Sequence, residues 1–277
     1  MQSMVVRLKD GTERQIPHGS TAADLAATIS ARLAREAVLA KVNGVIQDLD
    51  APLPDGADVE ILTFESDEAL EAMRHTAAHV MAQAVCRLFP GTKLAIGPAI
   101  KDGFYYDFAM DHSLSPEDLP RIEAEMRKII AEKLPLQRAV MDRQEALQFL
   151  AEQGEDFKVE LIEDLPEDAE ISFYRQGEFI DLCAGPHVPH TGFVKAVRLL
   201  SLAGAYWRGD ERRPMLQRIY GTAFAKASEL EAHLQRIEEA KKRDHRKLGR
   251  ELELFTIEDE GPGFPFFLPK GMVVRNE

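Results

Sequence analysis

Two dipeptides, Asp10-Gly11 and Asn43-Gly44, do most to limit what this chain can fold into. Each lies between short runs of strand-forming residues, and an Asx-Gly pair tolerates the positive φ that a tight hairpin turn demands. The first joins residues 5–8 to residues 13–16, and the second divides VLAKVNGVIQDL into two extended pieces. Between them Ser20 or Thr21 can cap a helix running to about residue 33, with Ala23, Leu25, Ala26 and Ile29 as its apolar stripe. After Pro54-Asp55-Gly56 comes a last strand, Val59-Glu60-Ile61-Leu62. Hairpin, helix and strands in this order predict a β-grasp, ubiquitin-like unit over residues 1–64. Nothing in it pairs a nucleophile with a base or gathers metal-type ligands, so it reads as a binding or spacing module.

The chain has 277 residues, enough for a second and larger domain at about 100–200 residues each. Residues 65–224 read as an α+β unit. A helix over 67–88 stops at Phe89-Pro90-Gly91, and extended segments follow at 95–100 and 103–108. A second helix, capped by Ser115 with Pro116 at its first position, reaches residue 133, and a third covers 143–153. ISFYRQGEFIDL predicts a hairpin turning at Gln176-Gly177, and residues 197–207 are extended. Residues 225–254 hold no Gly or Pro before Gly249 and predict one long, exposed helix; residues 255–277 start a further unit. No apolar stretch approaches the roughly 20 residues of a bilayer span, and MQSMVVRLKDG lacks an export signal's charged-then-apolar order. With only Cys86 and Cys183 there is no disulfide scaffold, which fits a reducing, cytoplasmic setting.

Chemistry concentrates in two short stretches. His75 and His79, spaced i, i+4 in RHTAAHV, project from one helix face about a turn apart. In DLCAGPH, Cys183 and His187 are also four apart, but Gly185-Pro186 makes the link a turn that folds both toward one point. Cys86 lies seven residues beyond His79, about 10.5 Å along a helix axis. That is too far to share an ion, so Cys86 reads as a small core residue. His18, His112, His190 and His233 sit in polar or turn contexts of the sequence and read as ordinary surface histidines. Phe104-Tyr105-Tyr106 reads as core, with Tyr106 able to face the pocket, and Lys158 alone reads as a solvated lysine. The formal charge of −13 repels polyanions as a whole, so a nucleic-acid contact must be local. The one dense basic run is Lys241, Lys242, Arg243, His245, Arg246, Lys247 and Arg250, interrupted by Asp244.

HTAAH, DFKVEL, DLCAGPHVPHTG, AGAYWRGD, MLQRIYGTAF and KKRDHRKLGRELELF, in this order, resemble the N-terminal half of the bacterial threonyl-tRNA synthetases. The resemblance implies a TGS domain over 1–64 and an editing domain over 65–224, shared with the alanyl enzymes. It implies a linker helix over 225–254 and, over 255–277, the truncated start of the class II aminoacylation domain. It implies that ATP, Mg and the zinc of the synthetic site belong to a domain that is missing, with the anticodon-binding domain, so that the chain does not charge tRNA. The activity it implies is hydrolysis of mischarged Ser-tRNA(Thr) in a pocket of His75, His79, Lys158, Asp181, Cys183 and His187. There Lys158 and His187 handle the water or the leaving ribose oxygen, and Asp181 holds the serine. His75, His79 and Cys183 shape the pocket. A metal-free site is expected; zinc, as in the alanyl-type sites, would sit on His75, His79, Cys183 and His187, and four protein ligands would leave it no open position. Tyr106 and the basic residues Lys242, Arg243, Arg246, Lys247 and Arg250 are the expected substrate or tRNA contacts. The expected partners are tRNA(Thr), Ser-tRNA(Thr) and the class II domain, with the chain itself a monomer. Two other classes stay open: a TGS-containing RNA-binding module without hydrolysis, and a zinc-dependent, alanyl-type trans-editing deacylase.

Overall fold

A computed structural model describes residues 3–258 and 263–277 as two compact units, Met1–Ala227 and Ser228–Glu277. Residues 1–2 and 259–262 are outside the described residues, and with them the start of MQSM and part of the 255–277 segment.

The first unit opens with the expected hairpin, β1 (Ser3–Leu8) against β2 (Glu13–Pro17). The helix after it is two helices rather than one. α1 (Ala22–Ile29) starts from a capping box in which Thr21 and Asp24 satisfy each other's backbone amides. It ends at Ser30, whose extended backbone stops it and whose hydroxyl caps α2 (Ala31–Glu36). Ala22, Leu25 and Ala26 are the buried face, and Ala23 is exposed. β3 (Leu39–Val42) and β4 (Val45–Asp48) turn at Asn43 and Gly44, both at positive φ, the pairing that matches strand twist. β5 (Asp58–Leu62) then slots between β3 and β1, antiparallel to one and parallel to the other. The order β2-β1-β5-β3-β4 is a β-grasp sheet with Leu25 and Ala26 of α1 in its core.

The rest of this unit is built on α3 (Asp67–Leu88), capped by Ser66 and buried on most sides. Alanines at 72, 77, 78, 82 and 84 let neighbouring elements approach its backbone closely. β6 (Lys93–Leu94), β7 (Ala99–Ile100) and β8 (Gly103–Ala109) come next, so of the extended run expected over 95–100 only 99–100 is strand, and 95–98 link it to β6 without pairing as a strand. α4 (Asp118–Glu132) begins three residues after Ser115. Pro116 lies outside it, and the Ser115 amide and hydroxyl donate to Asp118 instead of capping the helix as expected. β9 (Gln137–Met141), α5 (Arg143–Gln153) and α6 (Asp156–Glu163) are the next elements. The hairpin β10 (Ile171–Gln176) and β11 (Phe179–Leu182) completes a small sheet, β11-β10-β9. β12 (Ala196–Tyr206) and β13 (Met215–Phe224) form a long ladder beside β8, giving the order β12-β13-β8-β6. α3, α4 and this second sheet share one core that includes Met73, Val80, Phe104, Phe108, Ile122 and Ile219.

In the second unit the single helix expected over 225–254 is again two. α7 (Ala227–Lys242) ends before Asp244, whose side chain accepts the Arg246 amide and caps α8 (His245–Glu251). β14 (Phe255–Thr256) pairs with β15 (Phe266–Phe267), and α9 (Pro269–Asn276) closes the chain. Among the described residues no helix is long and apolar enough to cross a membrane.

Candidate active site

α3 presents His75 and His79 from one face, with ring centroids 5.2 Å apart. The chain leaving β11 brings Cys183 and His187 against them. Cys183 is pinned by two backbone-level bonds: its N–H donates to the Ser172 carbonyl at 3.0 Å, and its carbonyl accepts the Ser172 hydroxyl at 2.7 Å. Gly185, at φ +73°, then turns the chain back into a cis peptide with Pro186. A Cβ at Gly185 would stand 2.0 Å from the Tyr174 hydroxyl, so no side chain fits. Cys183 Sγ consequently lies 3.3 Å from both His75 Nε2 and His187 Nε2. One ligand-type atom from each of His75, His79, Cys183 and His187 falls within 4.8 Å of the others.

A second group adjoins this one. Lys158 of α6 places Nζ 2.7 Å from Asp181 Oδ1, close enough for an ion pair though poorly aligned as a hydrogen bond. Tyr106 of β8 donates to Asp181 Oδ2 at 2.5 Å and accepts from Lys158 Nζ at 3.2 Å. His79 Nε2 is 3.7 Å from the same Asp181 oxygen and joins the two groups. Lys158 is 3% exposed, Asp181 4%, His79 2% and His187 1%. The expectation that Lys158 alone is a solvated lysine therefore fails. Fully buried Tyr106, between Lys158 and Asp181, is no stacking platform for a base.

Burial controls the protonation of the cluster. Desolvation outweighs the attraction of Asp181 and lowers the pKa of His75, and it brings that of His79 down to about 3. His187 is driven well below its usual range by burial and then by the two neighbouring imidazoles. All three rings are neutral at pH 7. The Cys183 thiol is pushed up to about 12 by burial, which the Gly185 N–H only partly offsets, so it stays protonated. For Asp181 burial is again the largest influence and raises the pKa, but Lys158, His79 and Tyr106 together more than reverse it, and the carboxylate is retained.

The residues around His187 also set its tautomer, and among them is Thr76, which no sequence pattern singles out. The Thr76 hydroxyl donates to the Ala72 carbonyl at 2.9 Å and accepts the Val188 N–H at 3.2 Å. Its remaining lone pair faces His187 Nδ1 at 3.0 Å, so hydrogen-bond counting puts the proton on Nδ1 and leaves Nε2 bare toward the cluster. A threonine beside a helical histidine carries no sequence signal of such a role. Among the described residues, His79 Nδ1 is buried and makes no hydrogen bond. A cavity of about 330 Å³ reaches His75 between Ile46, Glu68, Pro98 and Pro186, and another of about 690 Å³ reaches His187 from the side of Asp48 and Lys133. His79, Lys158 and Asp181 line neither.

Cys86 stays outside the cluster, packed against the main core, as its helix position requires. His190 caps a short 3-10 turn and His112 stacks on Phe89. The residues Lys242, Arg243, Arg246, Lys247 and Arg250 belong to the second unit, where the break at Asp244 removes the continuous helical face expected of them.

Residues 4–63 match the TGS domain family, and residues 171–220 match the family described as the threonyl and alanyl tRNA synthetase second additional domain. The chain is 60% identical over 264 residues to a threonine–tRNA ligase of Carboxydothermus hydrogenoformans, covering 95% of the chain and 42% of that relative. It is 60% identical over 272 residues to one of Syntrophomonas wolfei, covering 98% of the chain and 43% of the relative. For one of Caldanaerobacter subterraneus the identity is 56% over the whole chain and 43% of the relative. The chain thus spans less than half the length of these curated relatives.

Proposed function

This chain carries the TGS and second additional domains of the threonyl-tRNA synthetases, and from that premise we propose that it hydrolyses the ester of Ser-tRNA(Thr), the proofreading step of threonine–tRNA ligation. The observation that carries the reading is the convergence of three neutral imidazoles and a thiol on a buried lysine, aspartate and tyrosine group. The need for such a step is energetic. Serine lacks one methyl of threonine, and a synthetic pocket separates two such side chains by only about 1–3 kcal/mol. A second site that admits the smaller residue and excludes the methyl corrects the error.

Ester hydrolysis requires a positioned water, a proton acceptor, and charge stabilisation as the ribose oxygen leaves. His187 Nε2, held bare by Thr76, is the acceptor on this reading. Lys158 supplies positive charge at the carbonyl or the leaving oxygen. Asp181 is engaged through both oxygens with Lys158 and Tyr106, so its role is to aim Lys158 more than to bind the seryl amine. His75, beside the smaller cavity, meets the seryl group first, and His79 with Cys183 closes the space a threonyl methyl would need. Zinc fits the four side chains by type and spacing: His75, His79, Cys183 and His187 would hold it, and in such a closed site it would fix the shape of the pocket and hold Cys183 as a thiolate. Four protein ligands complete a tetrahedron and leave no place for a water, so the hydrolysis falls to the protein groups.

The test compares Ser-tRNA(Thr) deacylation by the wild type with His75→Ala and Lys158→Ala, metal content being measured on the same samples. Losses of roughly 100-fold or more, unaffected by chelation, are expected. Wild-type rates at background would leave an RNA-binding module, and chelator-sensitive rates with one bound zinc would support the alanyl-type reading.

A further inference from the structure

The β-grasp unit reaches into the site through one carboxylate. Asp48 is the last residue of β4, and its Oδ1 accepts the N–H of His187 at 2.9 Å. Its Oδ2 accepts the Tyr174 hydroxyl at 2.7 Å. Tyr174 is in turn the residue on which the Gly185 turn rests, and its ring centroid is 4.4 Å from that of His187. A single side chain from residues 1–64 therefore grips both the backbone that carries His187 and the tyrosine that supports the loop before it. No group within 183–188 makes these two bonds, and the partners are 139 and 126 residues away in sequence.

We infer that Asp48 is a positioning residue for the hydrolytic loop, so that the β-grasp unit completes the editing pocket instead of merely spacing it from its neighbours. The inference rests on the proofreading reading for its effect on rate. The physical basis is the high cost of leaving the N–H of buried His187 and the hydroxyl of buried Tyr174 without their acceptor, together with the sub-ångström placement that catalytic groups require. Thr76 orients the His187 ring and Asp48 holds its backbone, so either loss lets Nε2 drift from the water.

The test uses the chain with Asp48→Ala and Asp48→Asn, read by steady-state deacylation and by hydrogen exchange of peptides over 183–188 and over the β-grasp sheet. Asp48→Ala is expected to lower kcat roughly 10- to 100-fold with KM within about twofold, and to speed exchange at 183–188 while the β-grasp peptides keep their protection. Asp48→Asn keeps an oxygen for the His187 N–H and is expected to recover most of kcat, which a general loss of stability would not do. If Asp48→Ala does not fold, the kcat of Asp48→Asn against Tyr174→Phe decides: near-wild-type rates in the first and a loss in the second support the inference, and equal losses overturn it. Unchanged kcat in Asp48→Ala overturns it whatever the exchange shows. Should the wild type not hydrolyse the ester, the proofreading reading fails by itself; exchange at 183–188 then still decides whether Asp48 holds the loop, and unaltered exchange overturns that too.

Discussion

His79 shows how far burial alone can set chemistry. Its imidazole titrates near 3 in the folded chain and near 6.5 when unfolded, and His75 and His187 shift in the same direction. Between those values the unfolded chain binds more protons, so stability that is complete above about pH 6.5 is lost as pH falls toward 3. Each such ring contributes a slope of up to about 1.4 kcal/mol per pH unit. Thermal melts of the chain should therefore fall steeply from pH 7 to pH 5, and a flat profile would show that the rings are solvated. Gly185 is the second residue-level test. Gly185→Ala must adopt φ +73° and displace the Tyr174 ring, so a stability loss of more than about 1 kcal/mol is expected together with loss of hydrolysis. Lys158→Ala leaves the Asp181 carboxylate buried without its ion pair, at about 3–5 kcal/mol, whereas Lys158→Ala/Asp181→Asn should regain much of that stability but none of the activity.

At the scale of elements, the sequence was most legible where short-range rules apply. Asp10-Gly11 and Asn43-Gly44 announced their hairpins, the His75/His79 spacing announced one helix face, and Gly185-Pro186 announced the turn that carries His187. Helix ends were less legible, because Ser30 and Asp244 sit within good helical composition yet break it, each capping a new helix on its C-terminal side. The same competition between side chain and backbone displaced the start of α4 past Ser115. Lys158 and Thr76 were illegible for another reason: their roles depend on contacts with Asp181 and His187 that no local pattern encodes. The break at Asp244 leaves Arg246 and Lys247 on α8 itself, exposed to solvent. Replacing both with Ala should weaken tRNA binding and shallow its salt dependence, with hydrolysis of a short seryl-ester mimic unchanged; equal loss in both assays would contradict a phosphate-contact role.

Over the whole chain, the charge is strongly acidic, and on the proofreading proposal a polyanionic substrate would be met by a small, buried, nearly uncharged pocket. The three imidazoles and the thiol are neutral at pH 7, and the buried Lys158–Asp181 ion pair is internal to the cluster. That economy suits discrimination by shape, since a seryl group needs space more than charge. Asp48 joins two folded regions at this point, where the loop turns through a left-handed glycine and its His187 N–H finds its acceptor outside the loop. The most direct measurement is the ratio of initial hydrolysis rates for Ser-tRNA(Thr) and Thr-tRNA(Thr), taken with one wild-type preparation at pH 7.5. A pocket that proofreads by shape should release the seryl ester rapidly and leave the threonyl ester stable by at least about 100-fold. Equal rates for the two esters, or none above the spontaneous rate, would contradict it.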